Sequence, residues 1–225
     1  GVSQGFDIYY RELDPDARNL GAYKTKTMGG QLRFGVPVSE RDTIQYGMGY
    51  DDTTITTFSD SPQRYLDYVE VFGSQNTNVF LTAGWARDDR DSRIYPTKGA
   101  LHRATTELGT PLGDLEYYKL TYQYQRYFPL TRFTSLLVNG EAGYGDGYNA
   151  KPLPFFKNFY VGGVNSVRGF KSFTIGPKDS NGDPTGGPRK VQANTELLFP
   201  FPGLENDRSV RLSAFVDSGV VGETI

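Results

Sequence analysis

A chain of 225 residues with 24 Lys and Arg against 26 Asp and Glu carries a formal net charge of −2, too near neutrality for nucleic acid to be its main partner. It has no cysteine and a single histidine, His102, which argues against disulfides, thiolate metal sites, His-based metal centres and Ser-His catalysis. With 16 Tyr, 15 Phe and 27 Gly, the composition favours β-strands punctuated by turns over helices.

No apolar run approaches the ~18 residues of a membrane-crossing helix. The negative mean hydropathy of −0.51 does not exclude a membrane, because a transmembrane barrel alternates apolar and polar residues and the average cancels. The sequence starts at Gly1 without a signal peptide and reads as a segment of a longer chain.

Alternation with a period of two recurs almost throughout. Phe6, Ile8 and Tyr10 share a face of the first predicted strand, opposite Asp7, Tyr9 and Arg11. The second runs to Val38 with Met28, Leu32, Phe34 and Val36 on its apolar side; the turn 39–42 leads to a third, with Ile44, Tyr46, Met48 and Tyr50. A longer connection over about residues 57–75, containing Pro62, has room for a helical turn. The fourth strand aligns Val79, Leu81, Ala83 and Trp85. After a charged link at 87–98 comes a weaker fifth strand, with His102, Ala104, Thr106 and Leu108 on one side.

The sixth is the clearest: Tyr118, Leu120, Tyr122 and Tyr124 oppose Lys119, Thr121, Gln123 and Gln125. The turn at 129–131 opens a seventh, where Leu136, Val138, Ala142 and Tyr144 oppose Asn139, Glu141 and Gly143. A long Gly-rich region follows, about residues 146–188. Two strands close the chain, the first setting Val191, Ala193, Leu197 and Phe199 against Gln192, Asn194 and Glu196. The last sets Val210, Leu212, Ala214 and Val216 against Arg211, Ser213, Phe215 and Asp217.

This reading gives nine strands of roughly 9–14 residues and no convincing amphipathic helix; a tilted membrane-crossing strand needs about 9–11 residues. A soluble sandwich would bury the apolar faces and wet the polar ones, whereas a membrane barrel turns apolar residues to lipid and polar ones to the lumen. Connections near 39–42, 129–131 and 200–208 are short, and those near 12–24, 57–75 and 146–188 are long and fall at the other end of the strands. That asymmetry suits an outer-membrane barrel, although the links at 87–98 and 110–114 depart from it. The expected fold is therefore an all-β antiparallel transmembrane β-barrel. Nine strands leave an unpaired edge that hydrocarbon does not tolerate, so residues 1–225 form one partial barrel domain to be completed by further strands.

Within the Gly-rich region, residues 158–178 are too glycine-rich for a helix and too irregular for a strand. Gly162, Gly163 and Gly169 free the backbone to fold back, with Arg168 between Val167 and Gly169-Phe170. An arginine carried into an enclosure needs fixed acceptors. Glu196 and Asp217 stand on the lumen faces of the next two strands, and a guanidinium pairs bidentately with such carboxylates. Residue spacing alone leaves two alternatives open. Either the loop enters the barrel and Arg168 pairs with Glu196 and Asp217, or Arg168 is solvated and the two acids line a wet lumen.

Other candidates carry less. Asp179-Ser180-Asn181-Gly182-Asp183 has the acidic spacing of a calcium loop but Lys190 where the bidentate Glu would stand. Gly162–Gly169 lacks the Gly-Lys-Ser/Thr of a phosphate loop. His102 reads as structural, and Trp85 and the outward tyrosines read as interfacial anchors. No catalytic constellation, metal site or cofactor is expected.

Val167-Arg168-Gly169-Phe170, preceded by Asn158-Phe159-Tyr160-Val161-Gly162-Gly163 and followed by Thr174-Ile175-Gly176-Pro177-Lys178, closely resembles the signature of the BamA family, central to bacterial β-barrel assembly machines. Residues 144–147, Pro154-Phe155-Phe156 and the strand carrying Phe215, Asp217 and Gly219 are similar to the same family. The resemblance implies a barrel of about sixteen strands, of which this chain supplies about nine, with the loop folded into the lumen and Arg168 held by Glu196 and Asp217. It implies an integral protein of the bacterial outer membrane, without enzymatic chemistry, that folds and inserts other barrels. Implied partners are unfolded outer-membrane β-barrel clients, BAM lipoproteins reached through POTRA domains absent from this sequence, periplasmic chaperones and outer-membrane lipid. Alternatives are a related polypeptide exporter of the TamA or two-partner-secretion type, a passive porin, or an outer-membrane phospholipase, which would need a Ser-His arrangement not visible here.

Overall fold

The computed structural model describes residues 1–13, 23–203 and 210–224; the expected connections near 12–24 and 200–208 lie largely outside them. Among the described residues nine strands form one sheet, each paired antiparallel with its neighbours in chain order. They are β1 (Ser3–Leu13), β2 (Tyr23–Pro37), β3 (Asp42–Thr57), β4 (Gln75–Asp88), β5 (Gly99–Gly109), β6 (Tyr117–Pro129), β7 (Ser135–Gly147), β8 (Arg189–Pro200) and β9 (Arg211–Gly222). Several run longer than the alternation suggested. β3 reaches 16 residues because the β-branched run Thr53–Thr57 continues its pairing with β2. β5, weak as a pattern, pairs along its whole length with β6, because Ala and Thr lack bulk but not ladder hydrogen bonds.

Register decides which face each side chain joins. Asn194 lies opposite Asp217, Glu196 opposite Phe215 and Leu137 opposite Glu196, and this line of residues faces the segment 148–188. On that inner face Thr25, Asp51, Thr53, Asn76, Asn78, Gln192 and Asn194 are buried. On the outer face large apolar side chains are bare, among them Phe6, Ile8, Met28, Met48, Leu81, Leu120 and Val216. Polar residues inside and apolar residues outside invert a water-soluble sandwich and match a sheet whose outer face meets lipid. An aromatic patch on that face fits an interfacial belt: His102 Nδ1 lies 2.8 Å from the Tyr122 hydroxyl, the His102 and Tyr124 rings are 4.8 Å apart, and Trp85 Nε1 donates to Asp42.

The connection between β3 and β4 corrects the sequence reading, which found no convincing amphipathic helix. It contains α1 (Gln63–Phe72), starting directly after Pro62. Tyr65, Tyr68, Val69 and Phe72 line one stripe of α1, and the core they join includes Tyr23, Ile55 and Phe155. The Tyr65 and Phe155 rings stack at 4.0 Å. Ten residues are marginal as an isolated helix, so the rings it meets stabilise it more than its own pattern does.

Segment 148–188 leaves β7 at the same end of the sheet as α1 and passes over the inner face. It includes the short 3-10 turn Phe155–Lys157. At the opposite end, the link at 89–98 is a built turn rather than a tight one: the Asp91 carboxylate accepts from the Thr97 and Lys98 amides and the Thr97 hydroxyl.

Leu120→Arg, on the outer face of β6, is expected to destabilise the folded protein by about 2–4 kcal/mol, whereas Thr121→Arg on the inner face should cost less than about 1 kcal/mol. Heat-modifiable gel mobility of the two variants checks the contrast.

Candidate functional site

The site is built on a loop that would not stay on the sheet without room and partners. Gly162, Gly163 and Gly169 have φ of 114°, 98° and 87°, values that side-chain-bearing residues rarely adopt. Between them a tight turn closes, with the Ser166 amide donating to Gly163 O and the Gly163 amide to Val167 O. Val161 and Val167 are buried against Phe159 and Val221. The sheet yields at Gly219 on β9, where a methyl group would lie 2.7 Å from Val161 Cγ1 and 2.9 Å from Val167 Cγ2. Ser166 Oγ donates to Gln192 Oε1 at 2.6 Å, and Asn194 Nδ2 donates to Ser166 O at 2.6 Å.

This seating delivers Arg168 to two acids. Its Nε donates to Asp217 Oδ2 and its Nη2 to Asp217 Oδ1, both at 2.7 Å, and its own amide donates to Oδ2 at 2.9 Å. Nη2 also lies 2.8 Å from Glu196 Oε1. The guanidinium carbon sits 3.6 Å from the centre of the Phe215 ring, so the cation is held edge-on by carboxylates and face-on by an aromatic. The Asp217 side chain is only 2% exposed; stripped of Arg168 it would be a buried charge short of donors. Hydrogen bonding to Asp217 raises the Arg168 pKa further above its ordinary value; burial opposes this and Glu196 adds to it.

Of the four motif residues, the structure brings three into this arrangement: Val167 in the buried cluster, Arg168 in the ion pairs, and Gly169 at the positive-φ turn. Phe170 points away and is 58% exposed. Sequence reading placed Gln192 and Asn194 on the lumen face without singling them out, and singled out Phe215 and Gly219 for the family resemblance of their strand alone. Nothing in the spacing reveals that Ser166 and Arg168 land on Gln192, Asn194 and Phe215, or that Gly219 is the hollow under the loop. In the turn at 179–183, Asp179 Oδ1 accepts from the Asn181 and Asp183 amides. Among the described residues, no group of three or more His, Cys, Asp or Glu is placed to hold a metal ion. The arrangement is a fastening: charge, backbone and ring contacts fix one loop to two adjacent strands.

Comparison with known proteins gives this geometry a context. A profile of the Omp85 superfamily domain matches residues 1–224. The chain is 39% identical to the outer membrane protein assembly factor BamA of Neisseria meningitidis over 98% of its length, and 30% identical to that of Nitratidesulfovibrio vulgaris over 97%. It spans 30% and 27% of the lengths of those relatives. The crystal structure of BamA from Haemophilus ducreyi lacking POTRA domains 1–3 superposes on the whole chain with a TM-score of 0.91 at 28% identity, the chain covering 47% of it.

Because the valines leave no space at Gly219, Gly219→Ala should weaken loop seating by about 1–3 kcal/mol, the usual cost of overpacking. Amide hydrogen exchange across residues 161–167 should quicken in this variant and not in Val220→Ala, whose side chain lies on the outer face.

Proposed function

The chain belongs to the Omp85 superfamily, and on that premise we propose that it is part of the barrel of an outer-membrane protein assembly factor, integral to the bacterial outer membrane, that folds and inserts other β-barrel proteins. The observation that carries this reading is the Arg168–Asp217–Glu196 contact, which ties the motif-bearing loop to the inner face of β8 and β9. Clients are unfolded outer-membrane β-barrel chains. Lipoprotein partners reached through POTRA domains, periplasmic chaperones and outer-membrane lipid complete the setting in which this chain works.

The work is not bond chemistry. An unfolded barrel strand entering lipid must satisfy its backbone donors and acceptors or incur several kcal/mol for each. An assembly factor lowers that barrier by offering strand edges for β-augmentation and by disturbing the adjacent bilayer. Strand edges template register only if the wall bearing them keeps its shape. The role of this chain is to hold the wall: the loop fastened across its inner face braces the sheet. An exporter of the TamA or two-partner-secretion type would share the barrel and motif. The assembly-factor reading is favoured by the 39% identity to a protein of that role across nearly all of the chain.

Arg168→Ala in the full-length protein, reconstituted in proteoliposomes, should slow insertion of a β-barrel client by about tenfold or more, the equivalent of one charge-assisted contact at roughly 1.5–3 kcal/mol. Client insertion at the unmodified rate would count against the reading.

A further inference from the structure

A second charged contact grips the same loop at a different part of the wall. Lys157 ends the 3-10 turn, and its Nζ lies 2.9 Å from Glu107 Oε1 on β5 and 4.0 Å from Asp51 Oδ2 on β3. The Tyr117 ring of β6 is centred 5.2 Å from the same ammonium, and the Tyr117 hydroxyl donates to Glu107. Backbone is held as well as charge, since Lys119 Nζ on β6 donates to Lys157 O at 2.6 Å. The Lys157 side chain is 21% exposed, matching Arg168. Burial acts against a charged lysine here; the carboxylate of Glu107 and the neighbouring Tyr117 act the other way and raise the Lys157 pKa.

Between the two cations the chain passes through Phe159 and Val161, both buried. Phe159 rests over Gly143 on β7, where a methyl group would lie 2.9 Å from its ring. The loop thus touches β3, β5 and β6 at Lys157, β7 at Phe159, and β8 and β9 at Arg168.

We propose that Lys157 is a second clasp and that the loop is a strut tied to the wall at two separated places, β3–β6 through Lys157 and β8–β9 through Arg168. The inference concerns how the loop is held and stands or falls independently of the assembly role. Its physical consequence is that neither clasp alone controls loop release. While one tether is closed, the other re-forms at an effective concentration in the millimolar range, so joint loss should exceed either single loss by about 10²–10⁴-fold.

The test uses the full-length protein in lipid and reads trypsin cleavage after Lys171, an exposed loop residue whose peptide bond enters the protease only when the loop opens locally. Lys157→Met and Arg168→Met singly should raise the cleavage rate by less than about tenfold, and together by at least about 100-fold more than either alone. Lys157→Arg, which keeps the charge, should remain as protected as the unmodified protein. Glu107→Gln in the Arg168→Met background should reproduce most of the release seen with Lys157→Met. Because that change touches only the wall, it decides the matter even if Lys157→Met fails to fold. If Lys157→Met or Glu107→Gln adds nothing to Arg168→Met, or if Lys157→Arg releases the loop as Met does, the second clasp is refuted.

Discussion

One constraint governs the inner face: a carboxylate that is almost fully buried, Asp217, on a strand whose other side faces lipid. Strand backbone amides are already spent on the ladder, and the neighbouring strand offers the Asn194 side chain as a donor. The other donors come from the loop. Arg168 brings three of them, two from its guanidinium and one from its amide, on a loop that glycines allow to fold inward. The dependence is mutual, since a guanidinium carried inside without those oxygens would be equally costly. Each group makes the other tolerable, and the loop conformation follows from their meeting.

Packing around that pair follows the same logic. The inner face mixes buried amides, hydroxyls and glycines with bulky side chains such as Phe80, Leu101, Tyr117 and Leu137. Gly143 and Gly219 leave hollows into which Phe159, Val161 and Val167 fit, and Gln192 and Asn194 bond the turn that carries Arg168. Two apolar clusters stand out among the described residues: one under the motif, and one of stacked rings where α1 meets Phe155. Polar contacts between them help set the position of the loop.

The sheet was legible in the sequence because a period of two is a direct consequence of strand geometry. The outward series Tyr118, Leu120, Tyr122 and Tyr124 and the inward placement of Glu196 and Asp217 needed nothing beyond it. The partners of Arg168 followed from the same faces together with the glycines, with a family resemblance deciding between the two open readings. What could not be read depends on contacts distant in sequence. Helix α1 is too short to announce itself, and its stripe of Tyr65, Tyr68, Val69 and Phe72 gains meaning only beside Tyr23 and Phe155. Lys157 carries no signal of its own in the sequence, because no spacing rule connects it to Glu107 or Asp51. The exposed Phe170 shows the converse, a motif residue whose place in the sequence does not put it in the fastening.

The central claim is that Arg168 and Asp217 act on each other directly and that their contact holds the loop in place. A double-mutant cycle tests it most directly, with Arg168→Met and Asp217→Asn made singly and together and loop opening measured by amide hydrogen exchange over residues 161–170. A direct pair requires the double variant to open far less than the sum of the two singles, with a coupling of about 2 kcal/mol or more. Effects that add to within about 0.5 kcal/mol would mean that the two residues do not hold one another, and the account would fail.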